Sequence, residues 1–304
     1  MNDTLLERLH NGDRRALARL LSLAARGEIG REIIANLPAP QKPDRVVAFT
    51  GSGGVGKSTL IGKLIEHVRK QKLKVAVLAC DPQSPLSGGA LLGDRFRMPS
   101  GPDDGVFIRS LAALSGRGAV ADHLPIMVSL LETYGFDVIF IETAGAGQGD
   151  TAVRELADVV VLLLQPETGD DLQWEKAGVL EVADVVALHK ADLPGADQAT
   201  AQIRAALDLS VTTPISLIKV SSKTGDGVPA LWDAIRACPP RRSSANDGAH
   251  ALLRLTQDAI ARRFNRAQDA HDPALADVLQ RWRGGGLPNE EAARAVLAVL
   301  EKSG

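Results

Sequence analysis

Six short aliphatic runs through the middle of the chain limit its fold more than any other feature. They read RVVAFTG (45–51), KVAVLACD (74–81), FDVIFIET (136–143), VVVLLLQP (159–166), VVALHKAD (185–192) and ISLIKVSS (215–222). None shows the polar alternation of a half-exposed strand. Runs that are apolar on both faces are strands buried between helix layers, as in a mostly parallel sheet. Between them lie stretches of helical length and pattern, such as residues 58–70 and 198–207. Alternating elements of this kind predict an α/β doubly wound fold. Aromatic residues make up only 3% of the chain, so Val, Leu, Ile and Ala must build the core. With 304 residues and 45% hydrophobic content, the chain can form one large α/β domain with appendages, or two small domains.

The flanks have a different texture. Residues 1–37 read as helix: Leu17, Leu20, Leu21 and Ala24 recur at helical spacing, and Asp13 is placed as an N-cap. The Pro-rich PAPQKP (38–43) reads as a linker, and PPRRSSANDG (239–248) as a second boundary. Beyond it, AHALLRLTQDAIARRF (249–264) and NEEAARAVLAVLEK (289–302) are helical in pattern, with GGG (284–286) between them. The expected division is an N-terminal helical extension and linker (1–43), a nucleotide-binding domain (44–240) and a C-terminal helical arm (241–304).

Composition excludes several functions. The net charge of −2 offers no basic field for nucleic acid or an anionic membrane. Cys80 and Cys238 lie far apart and outside any Cys-x-x-Cys pair, so neither a disulfide framework nor a zinc site is expected. The N-terminus lacks the pattern of a secretory signal, and the longest aliphatic run, 159–164, is too short to span a bilayer. A cytoplasmic protein is the default expectation; a mitochondrial protein with its transit peptide removed would look the same.

Chemistry enters with GSGGVGKST (51–59), which follows an apolar strand and opens a helix. It matches G-x-x-x-x-G-K-[ST] in the context that motif requires. The fold class sharpens to a P-loop NTPase type with N- and C-terminal helical extensions. Gly51, Ser52, Gly53, Gly54, Val55 and Gly56 form a loop whose amides can approach phosphate oxygens, backed by a helix N-terminus. Lys57 should reach the β- and γ-phosphates, and the Ser58 hydroxyl should coordinate Mg²⁺, with Thr59 completing the motif. Glu142 ends the run FDVIFIE, a suitable place for a Mg²⁺-shell carboxylate. Asp81 and Asp94 are further candidates for that shell. Gly145, in TAGAGQGD, offers an amide where a γ-phosphate would sit, which makes the segment a switch candidate.

A second constellation follows the run VVAL: His189, Lys190 and Asp192, in HKAD. Many GTP-hydrolysing proteins carry Asn-Lys-x-Asp here. Asp192 can accept hydrogen bonds from guanine N1 and the exocyclic amine, a contact that adenine cannot make. The Lys190 stem can lie over the purine face. His189 can donate one N–H in place of the Asn amide, depending on tautomer. Ser221, Ser222 and Lys223, in VSSKTGDGV, form a further loop whose amide near Ser222 or Lys223 can meet guanine O6.

Together these residues resemble the MeaB/ArgK family of P-loop GTPases, chaperones of adenosylcobalamin-dependent acyl-CoA mutases such as methylmalonyl-CoA mutase. The resemblance runs from about Asp13 to Ala237. GDRRALARLLSL is similar to the family's N-terminal helix, and DPQSPLSGGALLGDRFRM to the stretch between P-loop and first switch, which strengthens Asp81 and Asp94 as Mg²⁺-shell residues. ETAGAGQ resembles Glu-Thr-x-Gly-x-Gly-Gln. GDDLQWEKAG (169–178) resembles a further switch that faces the mutase, so Asp170, Gln173 and Lys176 carry over by position, with Trp174 as an aromatic of the same segment. Two departures stand out: His189 for the family's Asn, and Glu167 where a Gly is common.

The resemblance implies a homodimer formed through C-terminal helices, with GTP binding and hydrolysis to GDP coupled to loading or protection of the mutase cofactor. No Asp-x-His-x-x-Gly motif occurs, so the mutase is expected to hold the cobalamin. Hydrolysis is expected to be slow alone and partner-stimulated, with Lys57 and the Gly145 amide stabilising charge and Gln148 or Lys176 positioning water. Three alternatives remain at this level: a GTPase that delivers a metal to another enzyme, an ATP-using kinase or transport ATPase, and a nucleotide-gated scaffold with little turnover.

Overall fold

The computed structural model describes residues 2–26, 28–29, 43–82, 105–113, 123–143, 154, 156–166, 183–210, 215–240, 256, 259–261 and 263–302. They divide into two compact units, Met1–Arg242 and Ser243–Gly304.

The first unit is built on a seven-stranded sheet: β1 (Arg45–Gly51), β2 (Val75–Pro82), β3 (Val106–Ala113), β4 (Val138–Glu142), β5 (Val159–Leu164), β6 (Val185–Leu188) and β7 (Ser216–Lys219). The strand order is β3-β2-β4-β1-β5-β6-β7. Every pairing is parallel. The six aliphatic runs supply β1, β2, β4, β5, β6 and β7. β3 is an addition: VFIRSLAA has no continuous apolar run because Arg109 and Ser110 interrupt it. An edge strand tolerates that interruption, since only one of its sides is paired.

For β1, β2, β4, β5 and β6 the apolar runs are explained by helices on both faces, whereas in β7, at the sheet edge, Ser216 and Lys219 are exposed, contrary to the expectation of a buried strand. Along β1, Val46 and Ala48 enter one core while Val47 and Phe49 enter the other. The first core is shared by α1 (Asn2–His10), α2 (Arg14–Ala25) and α4 (Leu124–Tyr134). The second is covered by α3 (Lys57–Lys70) and α6 (Val228–Ala237), with Phe49, Phe140 and Trp232 meeting edge to face. α5 (Ala196–Ser210) packs Ile203 and Leu207 against Leu162, Leu164, Val186 and Leu188 of β5 and β6.

The helix expected over 1–37 is two helices as far as it is described. Asn11 and Gly12 turn the chain after α1. Asp13 caps α2, its Oδ1 accepting from the N–H of Arg15 (2.8 Å) and Ala16 (3.2 Å). Leu17, Leu20, Leu21 and Ala24 are fully buried, so α2 belongs to the sheet's own core. Arg14 lies over the Phe107 ring, and Arg109 Nη2 donates to Ser22 Oγ, which binds α2 to the edge strand.

The second unit contains α7 (Pro273–Arg283) and α8 (Asn289–Lys302), with GGG in the turn between them. α7 was not evident as a separate element in the sequence; Asp272 caps it through the N–H of Ala274 and Leu275. Leu275 and Leu300 pack with Ala267 into a small core.

Among the described glycines near the sheet's carboxyl edge, the tightest surroundings are in the turn from β7 into α6. Gly227 has φ +75°, and a Cβ there would lie 1.9 Å from the Lys219 carbonyl oxygen. Gly225 has φ +86°, but a Cβ there would meet nothing within 4 Å. Gly227→Ala should therefore lower unfolding free energy by about 1–3 kcal/mol beyond backbone strain. Gly225→Ala should cost only the left-handed backbone term of about 1–2 kcal/mol. Urea denaturation followed by circular dichroism checks the ranking, which fails if the two variants unfold at the same midpoint.

Candidate functional site

Because all seven strands run the same way, their carboxyl ends share one edge, the edge at which open α/β sheets bind ligands. β1 delivers the glycine loop there. Gly56 caps α3 with φ +99°, a conformation that turns the loop's backbone into the helix start. The Lys57 ammonium donates to the carbonyls of Gly51 (2.8 Å) and Ser52 (3.1 Å), which draws the side chain back across the loop. Lys57 is 7% exposed and Ser58 6%, so both polar heads work in a largely desolvated place.

β4 lies next to β1 and brings Glu142 to the same edge. Ser58 Oγ donates to Glu142 Oε1 at 2.7 Å, and Glu142 is also buried. A hydroxyl and a carboxylate held together beside a phosphate-binding loop form a hard oxygen donor set, suited to Mg²⁺ and unsuited to a soft thiophilic metal. Asp81 lies near the carboxyl end of β2, with its backbone in register with Ala112 of β3. Among the described residues no group of three or more His, Cys, Asp or Glu side chains could hold a metal ion.

The base-side residues form a connected set. The loop after β6 is fixed by its backbone: His189 N donates to Leu164 O (2.7 Å), and Ala191 N to Val220 O (3.1 Å). Lys190 has φ +57°, and its ammonium donates to Gln165 Oε1 at 2.7 Å and to Gly54 O at 3.4 Å. This stretches the lysine stem between the end of β5 and the glycine loop. Ser221 Oγ donates to Asp192 Oδ1 at 2.6 Å, and that hydrogen bond holds the Asp192 carboxyl below its usual pKa. Asp192 is thus a fixed carboxylate acceptor. Ser221 Oγ also accepts from the N–H of Lys223 (3.2 Å) and Thr224 (3.3 Å), so the Lys223 amide, one of the two expected to meet guanine O6, is turned to Ser221 instead.

His189 differs most from expectation. The residue is 4% exposed. Nδ1 lies 2.7 Å from the Val55 carbonyl oxygen, and Nε2 lies 2.7 Å from Ser222 Oγ. Burial pushes its pKa down, so the ring is neutral near pH 7. The ring also rests against the glycine loop: a Cβ on Gly56 would fall 2.5 Å from His189 Cε1.

The structure thus brings together the glycine loop, Lys57, Ser58, Glu142, His189, Lys190, Asp192, Ser221 and Ser222 at one edge. Asp94, Gly145, Gln148, Asp170, Gln173, Trp174 and Lys176 lie outside the described residues. Sequence reasoning missed two roles. Gln165 anchors Lys190, and its place just after β5 was the available signal. The hydroxyls of Ser221 and Ser222, rather than only their loop's amides, tie Asp192 and His189 into the site.

A family model described as "Methylmalonyl Co-A mutase-associated GTPase MeaB" matches residues 17–268. A protein of Pyrococcus abyssi provisionally named a GTPase is 43% identical over 244 residues, covering 78% of this chain and 75% of that protein. A fused isobutyryl-CoA mutase of Cupriavidus metallidurans is 38% identical over 201 residues, covering 64% of this chain but only 18% of the fusion. Among solved structures, a LAO/AO transport system kinase superposes with a TM-score of 0.70 at 21% identity, over 99% of this chain and 97% of that one. At that identity the superposition supports the fold alone. The match over most of the chain, on a sheet that brings a P-loop and an HKAD loop to one edge, makes this protein a member of the MeaB family of mutase-associated P-loop GTPases.

Proposed function

We propose that the chain binds and hydrolyses GTP and serves as a chaperone for an adenosylcobalamin-dependent acyl-CoA mutase, assisting loading or protection of the mutase cofactor. The observation that carries this reading is the meeting of Lys57, the Ser58–Glu142 pair and the Asp192 carboxylate at one sheet edge. The relative in which a similar segment is fused to an isobutyryl-CoA mutase supports the choice of partner.

In this reading the glycine-loop amides hold the phosphates, and Lys57 exchanges its loop carbonyls for β- and γ-phosphate oxygens. Ser58 and Glu142, with Asp81 and Asp94, would hold Mg²⁺, which would supply positive charge against the phosphates. A water oxygen attacks the γ-phosphorus in line, the bond to the β–γ bridging oxygen breaks, GDP leaves with that electron pair, and the water's proton ends on phosphate. Lys57 and the Gly145 amide stabilise the developing charge, while Gln148 or Lys176 orients the water. The 169–178 segment faces the mutase, through Asp170, Gln173, Trp174 and Lys176. Action of the partner on that segment and on 145–150 accelerates a slow intrinsic reaction.

Asp192 selects guanine by accepting from N1 and the exocyclic amine, with the Lys190 stem over the ring. Homodimerisation through the C-terminal unit is part of the same reading. Trp282 on α7 and Leu297 on α8 are 46% and 42% exposed, large apolar groups that a second subunit can cover. Work in the cytoplasm is part of the same proposal; among the described residues no helix is long and apolar enough to cross a membrane.

Lys57→Ala should lower single-turnover GTP hydrolysis on the order of 10²–10³-fold. Saturating mutase should raise the wild-type rate at least about tenfold; an unchanged rate would remove the partner stimulation of hydrolysis. Asp192→Asn presents an amide donor where guanine has its exocyclic amine. It should weaken GDP binding roughly tenfold or more and favour xanthosine diphosphate, which carries a carbonyl there. Calorimetric titration with both nucleotides checks this, and an unchanged preference for guanine would remove Asp192 from the base site.

A further inference from the structure

We propose that His189 reads no atom of the guanine base: it latches the phosphate loop to the base loop, and guanine N7 receives no side-chain donor from this position. The proposal rests on the reading of this edge as a guanine site and deepens it.

The hydrogen-bond geometry determines the ring's protons. Val55 O is a carbonyl and can only accept, so Nδ1, 2.7 Å away, must carry a hydrogen. The other tautomer would set a nitrogen lone pair against carbonyl lone pairs at that distance. A neutral ring with its proton on Nδ1 has a bare Nε2, which can only accept. Its neighbour at 2.7 Å, Ser222 Oγ, has a hydroxyl hydrogen to give. Both ring nitrogens are therefore committed to protein atoms, one on each side of the site.

The ring cannot easily turn to serve the base. Its backbone N–H is tied to Leu164 O, and its Cε1–Nδ1 edge lies so close to Gly56 that a Cβ there would overlap Cε1. Protonation would not change the outcome, because the second N–H would still point at Ser222 Oγ, which can also accept. An Asn amide differs in kind. Its NH₂ carries two hydrogens and its oxygen accepts, so one group can brace a loop carbonyl and still donate to N7. Imidazole offers one in-plane axis per nitrogen, and here both axes end on the protein. Guanine selection then falls to Asp192, on the opposite side of the base from N7.

7-Deazaguanosine diphosphate, in which N7 is replaced by C–H, isolates this contact. Wild-type protein titrated with GDP and with 7-deaza-GDP by calorimetry should show dissociation constants within about threefold of each other. His189→Asn should bind GDP and discriminate against the deaza analogue by about tenfold, the size of one lost hydrogen bond to the base. Wild-type discrimination of tenfold or more would overturn the proposal, as would a His189→Asn variant that binds GDP without discriminating. Should that variant fail to fold, the wild-type comparison decides alone. ¹⁵N NMR of the wild-type GDP complex is a second readout: a proton on Nδ1 and a bare Nε2 support the latch, and a proton on Nε2 without one on Nδ1 overturns it. If wild type binds neither nucleotide, the guanine-site reading itself fails, a result distinct from binding with discrimination.

Discussion

A parallel sheet buried on both faces leaves one place for polar chemistry, and the whole site follows from that constraint. With Val46 and Ala48 in one core and Val47 and Phe49 in the other, β1 has no solvent-facing side on which to carry a functional group. The same holds for β4, β5 and β6, whose described residues are all buried. Functional side chains can emerge only where the strands stop. Parallel pairing makes those stops coincide, so the loop after β1, Glu142 at the end of β4, Gln165 after β5, His189 after β6 and Ser221 after β7 become neighbours although 171 positions of sequence separate Ser221 from Thr50. Burial has a second effect at this edge. Hydrogen bonds such as Ser58–Glu142 and Ser222–His189 form with little competition from water, so each orients its partners more firmly than it would on an open surface.

Much of this arrangement was legible in the sequence because the same constraint writes itself as composition. A strand covered on two sides has to be a continuous aliphatic run, and β1, β2, β4, β5 and β6 are. The two edge strands are less uniform: β7 keeps Leu217 and Ile218 between exposed Ser216 and Lys219, whereas β3 takes Arg109 and Ser110 into its length, where Arg109 binds Ser22 of α2, and that interruption hid it. Periodicity located α2, and Asp13 marked its start, but neither indicates that the helix is bound into the sheet's core through Leu17, Leu20 and Leu21.

The site was readable to the level of residue type and not of individual hydrogen bonds. A glycine loop with Lys57 and Ser58 has one chemical use in its context, and Asp192 after a buried strand has nearly as narrow a one. His189 is the opposite case. From sequence it was an imidazole in an Asn position with a donor to offer. Which atom receives that donor depends on Val55 and Ser222, residues 134 and 33 positions away, and on the closeness of Gly56. Such a partner choice is set by three loops converging, and no single stretch of sequence contains it.

That convergence also limits how strongly the two halves of the site can act on each other. Ser221 holds Asp192, and Ser222, the next residue, holds His189, whose other nitrogen holds Val55 in the glycine loop. A displacement of the serine turn on the base side thus reaches the phosphate side through two hydrogen bonds between neutral groups. Each is worth about 0.5–1.5 kcal/mol net, and two links in series transmit no more than the weaker one, so the coupling is bounded at about 0.5–1.5 kcal/mol. A coupling of that size corresponds to roughly a two- to thirteenfold change in affinity, enough to let a correct base tighten the phosphate loop modestly. It falls short of the roughly 5.5 kcal/mol needed to throw a two-state switch from one extreme to the other. Full switching therefore has to draw on the contacts of the γ-phosphate itself, and the latch can serve only to keep the two ends of the nucleotide site in register.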